Sequence, residues 1–486
     1  MEFFLEKKVC IVGTGFCGYT AYKKLSKQNI DLIVLEGGEI KNPSTIEDQL
    51  FYKFSHNNYV ADININGKIS KIKSNINLSL RDRQLTLGGS SGSWAGFIKP
   101  FEASTYLNKF YQGETYSWGN FNLQKFDKES LKLLKSPILN FEPEKLANSL
   151  NLKLPELPQG LHYTVYSWAK SSLRLKDFWI NKATSDPNKI SSDNEVLYGF
   201  VLVDGFIKDG KISHLEFRSH NHKLIVKADL FILGMGGVEN ARFAEILNSK
   251  NKKDRDIKAN IGNFQEHPHI YKIGSFDYGH KKIPDILLNR TPYFVKGEMV
   301  GYIKFNIVAW NGIGTPKVSF DIYKRNSNNR IDSLLNYVKS KIMGELNITM
   351  RCEQTPNKNS KLIFDKNRVN WNVLESDFKI YSEYLRKYIS YLNFTGMAKN
   401  FKLLHKDSKY GFAFPLEING GAHHMGTVPI SQNGSVIGNN FRHKKFSNLY
   451  IVGSSGFPTS GFENPTQASI ATTLAAVEDI INSQKF

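Results

Sequence analysis

A glycine turn between an apolar strand and a helix is the feature that most restricts how this chain can fold. Residues 9–12 are apolar, and Gly13, Gly15 and Gly18 follow them with the spacing GxGxxG, ahead of a helix predicted over residues 19–26. A second apolar strand, residues 32–35, leads into Glu36. This order predicts a βαβ unit that begins a parallel sheet.

The residue types in this turn suit a dinucleotide. Gly13 permits a tight turn, Gly15 lets the backbone approach a pyrophosphate at the helix N-terminus, and Gly18 lets the helix pack closely on the strand. Glu36 can accept hydrogen bonds from both ribose hydroxyls. Because no arginine adjoins this carboxylate, the 2′-phosphate of NADP is disfavoured, whereas the motif leaves FAD and NAD open.

Later segments add strands to the same sheet. Residues 200–217 read as a hairpin around an Asp-Gly pair, and residues 224–233 form a further strand that leads into another glycine group. Near the end of the chain, residues 449–452 form a short strand, and apolar residues recur at helical spacing from Thr466 onward. The parts of this sheet therefore come from the start, middle and end of the sequence.

The fold class predicted from this order is α/β with a discontinuous nucleotide-binding domain. We assign residues 1–105, 195–270 and 415–486 to a Rossmann-like domain. The blocks between them, residues 106–194 and 271–414, are rich in aromatic residues and strand-like alternation. They predict an α+β substrate domain built on an antiparallel sheet.

Composition restricts the class of protein further. The 486 residues, 41% of them hydrophobic, suit a globular enzyme of two joined domains, and no apolar run reaches the roughly 18–20 residues that cross a bilayer. No signal peptide fits the N-terminus, and three cysteines give neither a disulfide framework nor metal-ligand spacing. We therefore expect a cytoplasmic protein without a metal.

The formal net charge of +19 raises the question of a nucleic-acid partner. The basic residues are scattered along the chain, and their short runs lack interleaved aromatics. This distribution is typical of a solvated surface, so we expect no nucleic-acid binding, although an anionic substrate stays possible.

A second glycine cluster, residues 87–96, is too flexible for a packed helix or strand. It could be a plain surface loop. Because it carries a tryptophan between apolar flanks, we instead expect it to lie against a flat buried ligand.

His423 and Asn464 are candidates for handling a proton. His423 and His424 lie in a glycine-flanked segment, and adjacent histidines on an extended chain point apart, so they do not readily share a metal. Asn464 precedes Pro465, which suits the first position of the last helix. The partial positive charge of that helix start suits an isoalloxazine ring whose pyrimidine edge becomes anionic on reduction. A histidine and an asparagine beside it could hold an alcohol hydroxyl.

Together these motifs resemble the glucose-methanol-choline (GMC) oxidoreductase family. Within the family they are most similar to the branch of pyranose oxidase and the membrane-associated sugar and gluconate dehydrogenases. The resemblance covers the nucleotide-binding domain and is poor across the predicted substrate domain. The segments that carry it are residues 13–36, 87–96, 234–242, 260–268, 423–427 and 448–466.

The resemblance implies bound FAD, a CH–OH donor and a catalytic pair at His423 and Asn464. Relatives that tether the flavin covalently have a histidine just before the tryptophan of the glycine cluster. This chain has Ser93 there, so non-covalent FAD is expected. The residues predicted to contact FAD are Gly13, Gly15, Phe16, Gly18, Glu36, Gly88, Gly89, Ser90, Ser93, Trp94, Gly236, Gly453, Ser454, Asn464, Pro465 and Thr466.

The predicted reaction is hydride transfer from an alcohol carbon to FAD, with His423 as general base and Asn464 orienting the hydroxyl. A sugar, glycoside, cyclitol or other polyol is the expected substrate, and the electron acceptor is oxygen, a quinone or a redox protein. His267 is expected to be structural. The alternatives are a non-redox FAD-containing lyase on the same scaffold, an oxidase of a simple or aromatic alcohol, a scaffold protein without catalysis, and a nucleic-acid binder.

Overall fold

The computed structural model describes most of the chain. Asn260, Ile261 and Gly262, which contribute to the family resemblance, lie outside the described residues. The described residues are 1–40, 60–65, 68–70, 83–107, 109–111, 114–119, 123–193, 195–220, 222–250, 263–271, 273–312, 314–324, 345–364, 368–403, 418–430 and 435–483.

The described residues form strands and α-helices with the following bounds. The strands are β1 (Glu2–Val12), β2 (Leu32–Glu36), β3 (Val60–Ile65), β4 (Lys68–Ser70), β5 (Phe97–Ile98), β6 (Lys109–Tyr111), β7 (Glu114–Tyr116), β8 (Leu161–Ala169), β9 (Ala183–Thr184), β10 (Val196–Tyr198), β11 (Val201–Lys208), β12 (Lys211–Arg218), β13 (Lys223–Leu233), β14 (Pro268–Ile270), β15 (Gly274–Tyr278), β16 (Thr291–Val295), β17 (Glu298–Ala309), β18 (Val318–Lys324), β19 (Glu345–Cys352), β20 (Lys361–Ile363), β21 (Arg368–Asn372), β22 (Ala398–Leu403), β23 (Ile418–Gly420) and β24 (Leu449–Ile451). The α-helices are α1 (Phe16–Leu25), α2 (Asp127–Leu133), α3 (Pro143–Ser149), α4 (Leu175–Trp179), α5 (Gly236–Lys250), α6 (Asp285–Leu288), α7 (Glu375–Phe394) and α8 (Pro465–Ser483).

The first sheet is built around the long strand β1. It has eight strands, and β1 pairs in parallel with β2 on one side and with β13 on the other. Val9, Cys10 and Ile11 are fully buried, as expected for a parallel strand covered on both faces. The first half of β13 pairs with the hairpin strand β12, and its second half pairs in parallel with β24. The C-terminal ends of β1, β2, β13 and β24 therefore meet at one edge of the sheet.

The second sheet has ten strands and two chemically different faces. Phe320 aligns with Ile307 and Met350 on one face, where it stacks on Tyr388 of α7 at 4.3 Å. On the opposite face β19 places Arg351 beside Ser319 of β18 and His269 of β14. Helix α7 thus covers the apolar face, and polar side chains occupy the other.

The predicted elements form where the sequence placed them, with longer ends. The strand predicted over residues 9–12 is the last part of β1, and the hairpin turns at Asp209 and Gly210, both with positive φ. Helix α1 begins at Phe16, three residues earlier than predicted, so that its first amides lie within the glycine turn. The glycine cluster predicted to lack helix contains a short 3₁₀ turn, Gly89–Gly92.

Several short strands cross the predicted domain boundaries. β14 and β23 fall in the blocks 195–270 and 415–486 but belong to the ten-stranded sheet, and β3, from the block 1–105, pairs with β21. β9 falls in the block 106–194 but pairs with β10 in the eight-stranded sheet. β5 falls in the block 1–105 but pairs with β8 in the ten-stranded sheet. The division into two domains remains a proposal. None of the described helices is long and apolar enough to span a membrane.

Candidate functional site

A cavity, partly open to solvent, lies at the edge where the parallel strands end. Its lining includes Gly13 after β1, Glu36 at the end of β2 and Gly234 after β13. His423 and Thr466, from near the end of the chain, line the same cavity. In open α/β sheets, ligands bind in the crevice beyond the carboxyl ends of the strands.

The glycine turn has the shape that the sequence predicts. Gly13 has φ +100°, and a Cβ on it would lie 2.7 Å from the carbonyl oxygen of Gly234. A Cβ on Gly18 would lie 1.8 Å from the carbonyl oxygen of Gly13. At Gly15, in contrast, a Cβ would meet nothing within 4 Å. Gly13 and Gly18 are therefore required by packing, whereas Gly15 borders open space.

Thr14 connects three parts of the nucleotide end of the cavity. Its backbone N–H donates to Glu36 Oε2 at 2.9 Å, and its hydroxyl also donates to that oxygen. The same hydroxyl accepts a hydrogen bond from the Gly88 N–H at 2.7 Å, and the Thr14 carbonyl accepts from Trp179 Nε1 at 2.8 Å. Burial raises the pKa of Glu36, while hydrogen bonds from Thr14 and Gly38 oppose that rise. The first and second glycine segments are thus joined through one threonine.

Two arginines reach the cavity from distant parts of the chain. Arg83 and Arg242 form ion pairs with Glu239 at 3.1 and 2.6 Å, and all three residues line the cavity. The sequence has no arginine adjacent to Glu36, so this positive charge was not predicted. It suits a ligand that carries phosphate groups.

The second glycine cluster is held against the first. Arg174 donates to the carbonyl oxygens of Ser91 and Trp94 at 2.6 and 2.7 Å. The Trp94 ring packs edge-on against Phe16 at 5.0 Å. Gly89 lines the cavity, so the cluster forms part of its wall.

A buried carboxylate fixes the backbone that carries His423. The His423 N–H donates to both oxygens of Glu266, at 2.9 and 2.7 Å, and the N–H groups of Gly421 and His267 donate to Glu266 Oε1 at 3.1 and 2.7 Å. Ala422, between the two anchored residues, has φ +58°. Glu266 therefore stabilises a strained turn at the point where His423 enters the cavity wall.

Three histidine rings meet beside the cavity. Nδ1 of His423 lies 2.8 Å from Nδ1 of His267, and the His269 ring centre lies 6.1 Å from that of His423. Burial, followed by the charges of His267 and His269, holds the pKa of His423 well below its usual range. Burial also lowers the pKa of His267, to about 4. Both rings are therefore neutral at neutral pH.

The last helix begins at the cavity, as predicted. Pro465 is the first residue of α8, and Pro465, Thr466 and Ser469 line the cavity. Asn464 is half-buried, immediately before this helix, and is not among the lining residues.

The predicted site residues fall into two groups. Those that line the cavity are His423, Gly13, Gly15, Phe16, Glu36, Gly89, Ser90, Gly236, Ser454, Pro465 and Thr466. Those that do not are Gly18, Gly88, Ser93, Trp94, Gly453 and Asn464.

Packing explains the position of the glycines in the second group. A Cβ on Gly88 would lie 2.6 Å from the backbone nitrogen of Lys176, and one on Gly453 would lie 2.7 Å from Cys17 Sγ. Like Gly18, they allow the segments around the cavity to approach one another. Their contacts with a cofactor stay predictions, as do those of Ser93, Trp94 and Asn464.

Several residues of the site were missed by sequence reasoning. Thr14 occupies a variable position of the glycine motif, and its signal was its place between two glycines. Glu266 and His267 lie in a segment interpreted as structural, where the signal was an acid next to a histidine. Arg83 and Arg242 gave no local signal. Within the described part of the chain, no group of three or more His, Cys, Asp or Glu side chains is arranged to hold a metal ion.

Comparisons with known proteins find similarity in the C-terminal sequence and in the fold. Residues 402–473, which include His423 and Asn464, match the family model for GMC oxidoreductases. Pyridoxine 4-oxidase from Mesorbium loti has a similar structure, with a TM-score of 0.56 at 14% identity, covering 99% of this chain and 100% of that one. A formate oxidase from Aspergillus oryzae RIB40, in a mutant concerned with FAD modification, gives a TM-score of 0.60 at 15% identity and 99% coverage of both chains. No curated protein sequence matches significantly.

The fold, a mostly parallel sheet with a second, largely antiparallel sheet, is similar to that of these solved oxidases. The C-terminal match is more specific: residues 402–473 are similar to GMC oxidoreductases.

The residues present fit FAD. A Cβ on Gly15 or Gly236 would meet nothing within 4 Å, so the backbone at both positions borders open space. Glu36 and the two cavity arginines suit the ribose and the phosphates. The start of α8 and His423 line the same cavity and suit the flavin.

Proposed function

We propose that this enzyme oxidises the CH–OH group of an alcohol to a carbonyl, with His423 as general base. The observation that carries the proposal is a neutral histidine in the cavity wall, beside the start of α8. FAD bound in the cavity supplies the acceptor for the hydride from the alcohol carbon. His423 takes the hydroxyl proton, so that the hydride carries away both electrons of the C–H bond.

The electrostatics of the site support a base at His423. Because burial and neighbouring rings hold its pKa well below 6.5, the ring is unprotonated at neutral pH and can accept a proton. Glu266 fixes its backbone, which limits the positions that the ring can adopt. We further propose that Asn464, next to the cavity-lining Pro465, orients the substrate hydroxyl.

A polyol, such as a sugar, glycoside or cyclitol, is the substrate class we propose. The face of the ten-stranded sheet that carries His269 also carries Trp168 and Asn306, which the strand register places on that side. Within the described residues, Trp168 Nε1 and Asn306 Oδ1 are buried and make no hydrogen bond. A buried donor and acceptor of this kind favour a ligand rich in hydroxyl groups.

The base is tested by His423→Ala in the FAD-bound enzyme. Loss of a general base costs about 10²- to 10⁴-fold, so flavin reduction by substrate should slow by that factor while FAD stays bound. The matched control is His162→Ala, an exposed histidine outside the site. An unchanged reduction rate in the His423 variant would remove this residue from the mechanism.

The substrate class is tested by an anaerobic screen of sugars, cyclitols, simple alcohols and aromatic alcohols that follows bleaching of the flavin. Bleaching by polyols supports the proposal, and bleaching by simple or aromatic alcohols alone points to the alternative oxidase. A non-redox lyase would show no bleaching with any alcohol. Oxygen, quinones and redox proteins are then tested as acceptors by mixing each with the reduced enzyme.

We propose that FAD is held without a covalent bond. Ser93 stands where covalent relatives carry a histidine, and its exposed hydroxyl donates to the Ser90 carbonyl at 3.3 Å. Acid precipitation should therefore release all the yellow colour into the supernatant. Colour retained in the pellet would contradict this. The cytoplasmic location stays a prediction from the sequence.

A further inference from the structure

His267 and His423 share a hydrogen bond whose direction decides what His423 can do. The two Nδ1 atoms are 2.8 Å apart, and the rings meet nearly at right angles, with centres 4.9 Å apart. A neutral imidazole carries one N–H and one bare nitrogen. When both rings are neutral, one Nδ1 must donate and the other must accept.

The surroundings of the pair favour the neutral form of both rings. His269 lies on one side, its Nδ1 3.1 Å from the Tyr271 hydroxyl, and His424 lies on the other with its Nε2 3.7 Å from Glu266. Arg351, from β19, lowers the pKa of His267 and His423, whereas Glu353 raises that of His267. Burial outweighs these charges, so a protonated ring in either position is disfavoured.

The proposed role of His423 as base selects one direction. Nδ1 of His423 lies in the shared hydrogen bond, so the nitrogen left to receive a substrate proton is Nε2, and a base needs that nitrogen bare. Nδ1 of His423 then carries the hydrogen and donates, so that Nδ1 of His267 is bare and accepts.

We infer that His267 is a positioning residue that fixes the tautomer of His423. In this arrangement His423 Nδ1–H donates to His267 Nδ1, so that His423 Nε2 is bare and can receive the substrate proton. The inference rests on the proposed role of His423 as base. It replaces the purely structural role that the sequence predicted for His267.

Two variants of nearly equal size separate positioning from packing. His267→Asn keeps a side-chain acceptor near the position of Nδ1, and His267→Leu removes it. In the FAD-bound enzyme, we expect the Leu variant to reduce its flavin with substrate at least about 10²-fold more slowly, because His423 then turns to the tautomer with a protonated Nε2. The Asn variant should stay within about tenfold of the natural enzyme. Equal losses in both variants would indicate packing alone and overturn the inference.

Nitrogen NMR of the histidine-labelled FAD-bound enzyme gives a readout that does not depend on turnover. We expect His423 to show a protonated Nδ1 and a bare Nε2, and His267 the reverse, with assignments made from the His267→Asn and His423→Asn variants. The opposite pattern would overturn the inference. If His423→Ala reduces flavin normally while the NMR pattern is as expected, the proposed function fails and the hydrogen-bond direction stands.

Discussion

At the scale of single residues, Gly15 and Gly18 belong to one motif but meet different surroundings. A Cβ on Gly15 would border open space in the cavity, whereas a Cβ on Gly18 would collide with the Gly13 carbonyl. We predict that Gly15→Ala changes the free energy of unfolding of the FAD-free protein by less than about 0.5 kcal/mol, because the methyl group meets no protein atom. The same change should weaken FAD binding at least about tenfold.

Gly18→Ala is the matched variant for this prediction. It should destabilise the fold itself, because the added carbon would lie 1.8 Å from a backbone oxygen. Denaturant unfolding and titration of FAD into the FAD-free protein measure both effects. If Gly15→Ala bound FAD normally, the space above Gly15 would not be the cofactor cradle.

Residues of the site differ in how far their roles can be predicted from the sequence. Gly13, Gly15 and Glu36 could be assigned because their spacing along one βαβ unit fixes their positions. Glu266 could not, since its partners at residues 421 and 423 are more than 150 positions away. A contact between distant segments leaves no periodic signal in either of them.

At the scale of elements, an ion-pair network joins the ten-stranded sheet to the segment before α8. Lys317, in the turn between β17 and β18, donates to Glu102 at 3.2 Å and to the Ser104 hydroxyl at 2.6 Å. Burial would raise the pKa of Glu102, but Lys99 and Lys317 lower it to about 2. Glu463, next to Asn464, accepts from the Glu102 N–H at 2.8 Å. The network therefore stabilises the segment that starts α8.

We predict that Lys317→Met destabilises the protein by about 3–5 kcal/mol, because it removes a buried cation that pairs with Glu102 and acts on the fully buried Glu463. Adding Glu102→Gln should recover part of that loss, so that the double variant is less destabilised than the sum of the single ones. Urea unfolding measures the effect. The control is Lys125→Met, which breaks an exposed pair with Glu478 and should cost no more than about 1 kcal/mol. If the losses of free energy from Lys317→Met and Glu102→Gln simply added in the double variant, the result would argue against the network.

At the scale of the whole molecule, buried histidines make the free energy of unfolding depend on pH. Burial lowers the pKa of His267 to about 4 and that of His424 to about 3, whereas an unfolded histidine titrates near 6.5. Since the folded pKa values are depressed, the stabilisation is present above pH 6.5 and is lost as the pH falls toward 4. At pH 4, each of these histidines then lowers the free energy of unfolding by about 3 kcal/mol. Burial raises the pKa of Asp127 to about 6, so this group raises the free energy of unfolding as the pH falls and opposes the histidines.

We therefore predict a net fall in the free energy of unfolding between pH 7 and pH 4, measured by urea unfolding with saturating FAD. His424→Asn should reduce this fall, because it removes one of the contributing histidines. His220→Asn, at an exposed position, should leave it unchanged. An identical pH dependence in the His424 variant would show that this ring does not contribute.

The sequence alone determined the parts of this protein that depend on neighbours in the chain. The βαβ start, the hairpin at Asp209 and Gly210 and the helix at Pro465 follow from periodicity, turn chemistry and proline geometry, which act over a few residues. Only the tertiary structure decided the hydrogen bonds of Thr14, the ion pair of Arg83 and the contact between His267 and His423. Each of these contacts joins segments that are far apart in the sequence. They form only when the folded chain packs those segments together.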